Sequence, residues 1–205
     1  MNMDGENTFI WDEMNLKMNE MIRRSTYRDF DTILSIINQA SHAYKGVIPD
    51  DCWKEPYMPA EELALEIGDG VEFWLFQEKA AGDGTQSAGE RFEVLGVMGI
   101  QHVHGEVALV RHAYVRASEQ NQGIGGRLLD HIVGLETSMP LLVGTWKGAG
   151  WAIRFYEKHG FSLVTPIEKK DELLRKYWSI PRRQLEESVV LADRRWSLAD
   201  KGQVT

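Results

Sequence analysis

"EQNQGIGGRLL", residues 119–129, sets three glycines into four positions and then enters an apolar stretch. Glycine at that density is costly in a regular element, because each one surrenders the most conformational freedom on folding. A strand that runs into Gly123, Gly125 and Gly126 and then a helix leaves several backbone N–H groups free at the helix N-terminus. Such donors, with the helix dipole, bind anions, and the missing Cβ atoms let a phosphate come within hydrogen-bonding distance. A merely tight turn would need one glycine, so three point to backbone that holds phosphate. Two common nucleotide patterns fail here on their residues. A P-loop ends in G-K-[ST], whereas Gly126 is followed by Arg127 and Leu128, and the dinucleotide fingerprint G-x-G-x-x-G would need glycine at position 128.

The segments on either side supply a layout. "MIRRST" reads as a short strand, and "YRDFDTILSIINQASHAY" places Phe30, Ile33, Leu34, Ile37 and Ala40 at helical spacing. "DDCWKEPYMP" reads as a loop and "AEELALEIGDG" as a short helix closed by glycine. "EFWLFQEK" and "FEVLGVMGIQHV" read as strands joined through a small-residue loop, residues 80–90. "EVALVRHAYV" follows a tight turn at His104 and Gly105 and pairs antiparallel with its predecessor. Apolar residues on both faces of these strands fit a sheet covered on two sides. After the glycines comes a helix with Ile124, Leu128, Ile132 and Leu135 on one stripe, then the strand "PLLVGTW", the helix "WAIRFYEKHG" and the strand "FSLVT". The tail offers another helix, a turn at Pro181 and a strand around Ser188 to Leu191. The fold class is α/β, mixed, with a mostly antiparallel central sheet flanked by helices.

Bulk properties bound the functions. A chain of 205 residues suits one well-buried domain, here residues 20–192, with an N-terminal extension over 1–19 and a tail over 193–205. The formal net charge of -8 repels phosphate backbones, which argues against nucleic acid as a partner. No stretch approaches membrane-spanning length, and the acidic N-terminus lacks the pattern of a signal peptide, so a cytoplasmic protein is expected. The lone Cys52 has no partner for an internal disulfide and reads as an inert thiol.

Gln120-Asn121-Gln122-Gly123-Ile124-Gly125 fits [RQ]-x-x-G-x-[GA], and so resembles the acyl-CoA pyrophosphate loop of the GCN5-related N-acetyltransferases. In that family the loop follows a strand ending like "AYV", here Ala113 to Val115, and precedes a helix with "LL", here Leu128-Leu129. Downstream, "AIRFYEKHGF", Ala152 to Phe161, resembles the family's A-x-x-F-Y-E-K-x-G-F signature. The resemblance covers residues from about 20 to 192 and implies the family fold, acetyl-CoA as cosubstrate and an amine acceptor, either a small molecule or a protein or peptide. It implies that Tyr114 and Val115 pair by main-chain groups with the pantetheine arm. Gln120 and the N–H groups of Gln122, Gly123, Ile124, Gly125, Gly126 and Arg127 would hold the pyrophosphate. Tyr156 would protonate the leaving thiolate as general acid. The family's frequent Asn three residues before the Ala of the second signature is Ala149 here. That departure keeps a second reading open, a non-catalytic acyl-CoA-binding or sensing module. A homodimer is compatible with either reading.

Direct attack of an amine on a thioester needs a deprotonated amine, a polarised carbonyl and a proton for the thiolate. Backbone N–H groups of a splayed strand suit the second need. For the first, several members of the resembled family carry a glutamate on the strand before the loop, but this strand shows Val107, Leu109, Arg111 and Ala113 on one face. His112 and Glu106 are the titratable groups nearby, and an imidazole suits an ammonium near neutrality, so His112 is the candidate base beside a water chain. His102 and His104 alternate as metal ligands do, but the hairpin register puts His112 on the opposite face, and no metal is expected. The "WKEPYM" loop, Trp146 and Trp151 either line an acceptor pocket or cover the sheet.

Overall fold

The computed structural model describes residues 20–80 and 91–196. The expected extension over 1–19, nearly all of the expected connection over 80–90, and residues 197–205 of the tail lie outside them. The strands are β1 (Glu20–Arg24), β2 (Glu72–Lys79), β3 (Phe92–Val103), β4 (Val107–Val115), β5 (Leu141–Trp146), β6 (Ser162–Leu163) and β7 (Ser188–Ala192). The helices are α1 (Phe30–Ser41), α2 (Ala60–Gly68), α3 (Ile124–Leu135), α4 (Gly150–Lys158), α5 (Ile167–Tyr177) and α6 (Arg182–Glu186). All seven strands form one sheet in the order β1-β2-β3-β4-β5-β7-β6, and every neighbouring pair is antiparallel except β4 with β5. The mixed α/β class expected from the sequence is the one observed.

Strands apolar on both sides bury both. One face carries α3 and α4, whose Ile124, Leu128, Leu129, Ile132 and Tyr156 pack on Met98, Ile100, Ala108 and Val110. The other face carries α1 and α2 over β2 and β3, where Ile33, Ile37 and Leu63 meet Phe73, Leu75 and Val97. Beyond β4 that second face is closed by α5 and α6, with Leu173, Leu174 and Leu185 on Leu109, Leu142 and Val190. No described helix is long and apolar enough to cross a membrane.

Three local expectations need correction. Leu135 is 49% exposed, because it is the last residue of α3 and the chain turns extended at Glu136; Leu129 takes its place in the core. The strand expected over "FSLVT" is two residues long, since it lies at the sheet edge and Pro166 soon after starts α5. Pro181 begins α6 and does not merely turn the chain, because Leu185 docks that short helix in the core.

Where α3 ends, a single carboxylate organises the chain reversal. Glu136 Oε1 accepts from the Ser138 N–H at 2.7 Å, the Ser138 hydroxyl at 2.8 Å and the Met139 N–H at 2.8 Å, while Oε2 meets His102 Nε2 at 2.8 Å. Burial opposes its ionisation, but these donors outweigh burial and hold its pKa down to about 2, from an ordinary 4.5. A carboxylate whose folded pKa is depressed stabilises the fold fully above its unfolded value, and that contribution is lost as pH falls toward the folded one. Denaturant unfolding should therefore show Glu136→Gln less stable than the parent by on the order of 2 kcal/mol at pH 7, after allowance for nearby solvent. The gap should close between pH 4.5 and about 2. A gap that is constant with pH would remove the charge from this role.

Candidate active site

β4 and β5 are paired only from Ala108 to Val110 and from Leu141 to Val143. Beyond that, β4 continues to Val115 and β5 to Trp146 without each other, so the sheet opens at its centre. The opening is a cleft of about 720 Å³. Tyr114 and Val115 form one wall, Gly144 and Thr145 the other, and Phe155 and Tyr156 of α4 close it from one face.

The glycine loop lies at the mouth. Gly123 is the N-cap of α3 with φ 84°, the left-handed region that favours glycine. The Arg127 N–H donates to the Gly123 carbonyl at 3.0 Å and closes the first helical turn. The groups that α-helix geometry leaves without an acceptor are thus the N–H groups of Gly123, Ile124, Gly125 and Gly126. The Arg127 side chain turns away, onto Glu20 and over the Phe76 ring at 5.2 Å. Gln120 Nε2 donates to the Val115 carbonyl at 3.3 Å, and Gln122 Nε2 to Glu119 at 3.0 Å, both exposed. Glycine at 126 has a packing reason as well: a Cβ there would stand 2.9 Å from His159 Nε2.

Deeper in, β4 does not keep its alternation. Gly99 pairs with Arg111 but Val97 pairs with Tyr114, so β4 carries one residue more than β3 at this point. His112 occupies the bulge with φ 47°. The slip reverses the faces that follow, as a one-residue shift must. Val110 and Ala113 both pack on the α3–α4 side, while Arg111 and His112 both reach Glu66 of α2 on the other. The expected sharing of one face by Arg111 and Ala113 is therefore incorrect, and the cause is this bulge. His102 pairs with Glu136 and His112 with Glu66, on opposite faces, but the cause is the bulge and not the hairpin register, which sets His102 opposite Ala108 and by alternation alone would have put His112 on the same face.

Glu66 is the residue the sequence did not single out. Its Oε1 takes Arg111 Nη2 at 2.7 Å and its Oε2 takes His112 Nε2. Burial raises the cost of its charge, yet the His112 hydrogen bond and the charges of His112 and Arg111 hold its pKa below the usual carboxylate range.

Tyrosines surround the cleft's inner end. Tyr156 is 5% exposed, and burial together with the nearby Tyr44 pushes its hydroxyl well above the ordinary value. Tyr44 is likewise pushed up to about 12 by burial and the nearby Tyr57, with Thr145 acting the other way. Tyr57 accepts from Trp146 Nε1 at 3.1 Å, while Trp151, 41% exposed, lies 5.4 Å from the Tyr44 ring. Of the aromatics left open between acceptor pocket and cover, Trp146 is buried and Trp151 stands at the cleft. Ala149 is fully buried beside Ile48 and Trp146. Cys52 is half-buried, and burial pushes its thiol up, as suits an inert side chain.

A sheet splayed between β4 and β5, with an N-terminal helix dipole at the mouth, is the fold of the GCN5-related N-acetyltransferases. Residues 73–163 match the family model described as acetyltransferase (GNAT) domain. Three solved structures share the fold. A GNAT-family acetyltransferase from Staphylococcus aureus Mu50 has a TM-score of 0.59 at 15% identity, over 85% of this chain and 98% of its own. PaiA N-acetyltransferase from Thermoplasma acidophilum, in complex with coenzyme A, has a TM-score of 0.56 at 16% identity, over 85% and 98%. The ribosomal-protein-S18-alanine N-acetyltransferase from Escherichia coli has a TM-score of 0.54 at 18% identity, over 85% and 92%. No curated protein matches the chain in sequence.

Proposed function

We propose that the protein transfers an acetyl group from acetyl-CoA to an amine by direct attack. The observation that carries this reading is the opening between β4 and β5 with the four unpaired N–H groups of Gly123 to Gly126 at its mouth. The bound coenzyme A of the Thermoplasma structure, which shares this fold, supports the same choice of ligand. The pyrophosphate sits on those N–H groups and the helix dipole. The pantetheine arm lies along the free edge of β4 at Tyr114 and Val115, as an added strand would. Gln120, Gln122 and Arg127 border this path; the Arg127 contribution is limited to its position, because its N–H and guanidinium are both engaged elsewhere.

The amine nitrogen adds its lone pair to the thioester carbonyl, the C–S bond then breaks, and the thiolate leaves with the electron pair. His112, at the inner wall, takes the proton from the amine. Tyr156 stays protonated across the neutral range and donates a hydrogen bond, and finally its proton, to the sulfur. Cytoplasmic location and a cationic acceptor fit the acidic charge balance.

Incubation with acetyl-CoA and a panel of amines, from small alkyl and aryl amines to peptide N-termini and lysines, should release free thiol with at least one of them. Tight acetyl-CoA binding without thiol release from any amine would replace the enzyme by the sensing module.

A further inference from the structure

We propose that Glu66 is a positioning residue that fixes the tautomer of His112, making Nδ1 of that imidazole the atom that receives the amine's proton. The assignment rests on the acyl-transfer reading above, and it adds to it a residue from outside the β4–α4 machinery. An ionised carboxylate only accepts hydrogen bonds, so the His112 nitrogen that meets Glu66 must carry a hydrogen. That nitrogen is Nε2. A neutral His112 ring therefore has its lone pair on Nδ1, which has no hydrogen-bond partner among the described residues. His112 is among the residues that line the cleft.

Several independent features fix this geometry. Arg111 holds the second Glu66 oxygen at 2.7 Å and is itself tied to Gln101 Oε1 at 2.8 Å. Glu66 has two acceptor atoms for two donors, and both are used. The Phe73 ring lies against the imidazole, centroids 5.8 Å apart and planes 25° from parallel. The backbone contributes as well: φ 47° is an uncommon setting for a residue with a side chain, and it persists only where the surroundings impose it. Here the bulge turns the ring away from the α3–α4 side and toward α2, where Glu66 stands. Burial excludes water that could compete for the pair, with the His112 side chain 12% and the Glu66 side chain 20% exposed.

Glu66→Gln leaves one acceptor for the same two donors, so the hold on Arg111 or that on His112 must fail, with little change in shape. The consequence is a mixture of imidazole tautomers and a base that presents its lone pair only part of the time. Two measurements test this. The first is the ¹⁵N spectrum of histidine-labelled protein without substrate, at a pH where the ring is neutral. The parent should show His112 with a protonated Nε2 and a bare Nδ1, and Glu66→Gln should show a mixed signal. The second is a double-mutant cycle with the best amine found. Glu66→Gln should cost on the order of 10- to 100-fold in kcat/KM, below the 10²–10⁴-fold typical of losing a base outright. The same change in a His112→Ala background should cost less than twofold, because there is no ring left to orient.

A parent spectrum with the proton on Nδ1, or equal losses in both backgrounds, would overturn the role of Glu66. The two readings fail separately. Absence of turnover with every amine defeats the acyl-transfer reading, while the spectrum still decides whether Glu66 sets the tautomer.

Discussion

Tyr156→Phe is expected to slow acetyl transfer on the order of 10²–10⁴-fold, the usual cost of losing a general acid, while acetyl-CoA affinity changes by no more than a few fold. The substitution removes one oxygen from a ring that packs edge-on against Phe155 and Phe161, at 5.0 Å and 5.7 Å between centroids. Those contacts need no hydroxyl, so the core of α4 stays as it is. Burial lifts the Tyr156 hydroxyl far above neutrality, and it therefore holds its proton until a strong base appears beside it. The departing thiolate is that base. Tyr156 should for the same reason contribute no falling limb to the rate at any pH where the protein is folded. Steady-state kinetics with calorimetry of acetyl-CoA binding separate the outcomes. A rate within twofold of the parent removes Tyr156 from the chemistry, and a loss of binding equal to the loss of rate makes it a positioning residue.

Gly125→Val should weaken acetyl-CoA binding by on the order of 10²–10⁴-fold, the cost of about two charge-assisted hydrogen bonds at roughly 1.5–3 kcal/mol each. A Cβ at this position meets the Phe155 ring at 3.5 Å and Val115 Cγ2 at 3.8 Å, which are ordinary contacts. The fold therefore accepts it. Gly125 lines the cleft, so the two γ-methyls beyond the Cβ add bulk where the proposed pyrophosphate site lies. An unchanged melting temperature with lost binding is the expected pair of results. Unchanged affinity in a folded variant would move the pyrophosphate site elsewhere.

What could be read in advance divides by distance along the chain. The glycine loop, the helix after it and the apolar strands are local patterns, and the elements stand where those patterns put them. The Tyr156 helix was equally legible, since its signature lies within ten consecutive residues. The bulge at His112 was not, because alternation along β4 looks regular until β3 is laid beside it and one residue is left over. Glu66 lies 46 positions from His112, and nothing in "AEELALEIG" marks one glutamate of that helix from the others. Arg127 misleads for a related reason. Its main-chain N–H is expected to face the pyrophosphate but closes the helix on Gly123, and Glu20 and Phe76, both remote in sequence, take its guanidinium. Short-range signals thus mark the backbone proposed to hold the coenzyme, while the side chains proposed for the amine's half of the reaction depend on long-range packing.

The three residue pairs that join β4 to β5 have a mechanical meaning. Within the sheet itself, strands β1 to β4 and strands β5 to β7 meet along a short spine like the covers of a book, while α3 on one face and α5 and α6 on the other pack across it. A ligand seated between the covers is held by both and so becomes part of the binding. It lengthens the spine from the closed end at Val110 and Val143 toward the open end at Val115 and Trp146. Occupancy should then tighten backbone far from any ligand atom, with amide exchange slowing along β5 and β7 as well as in the glycine loop.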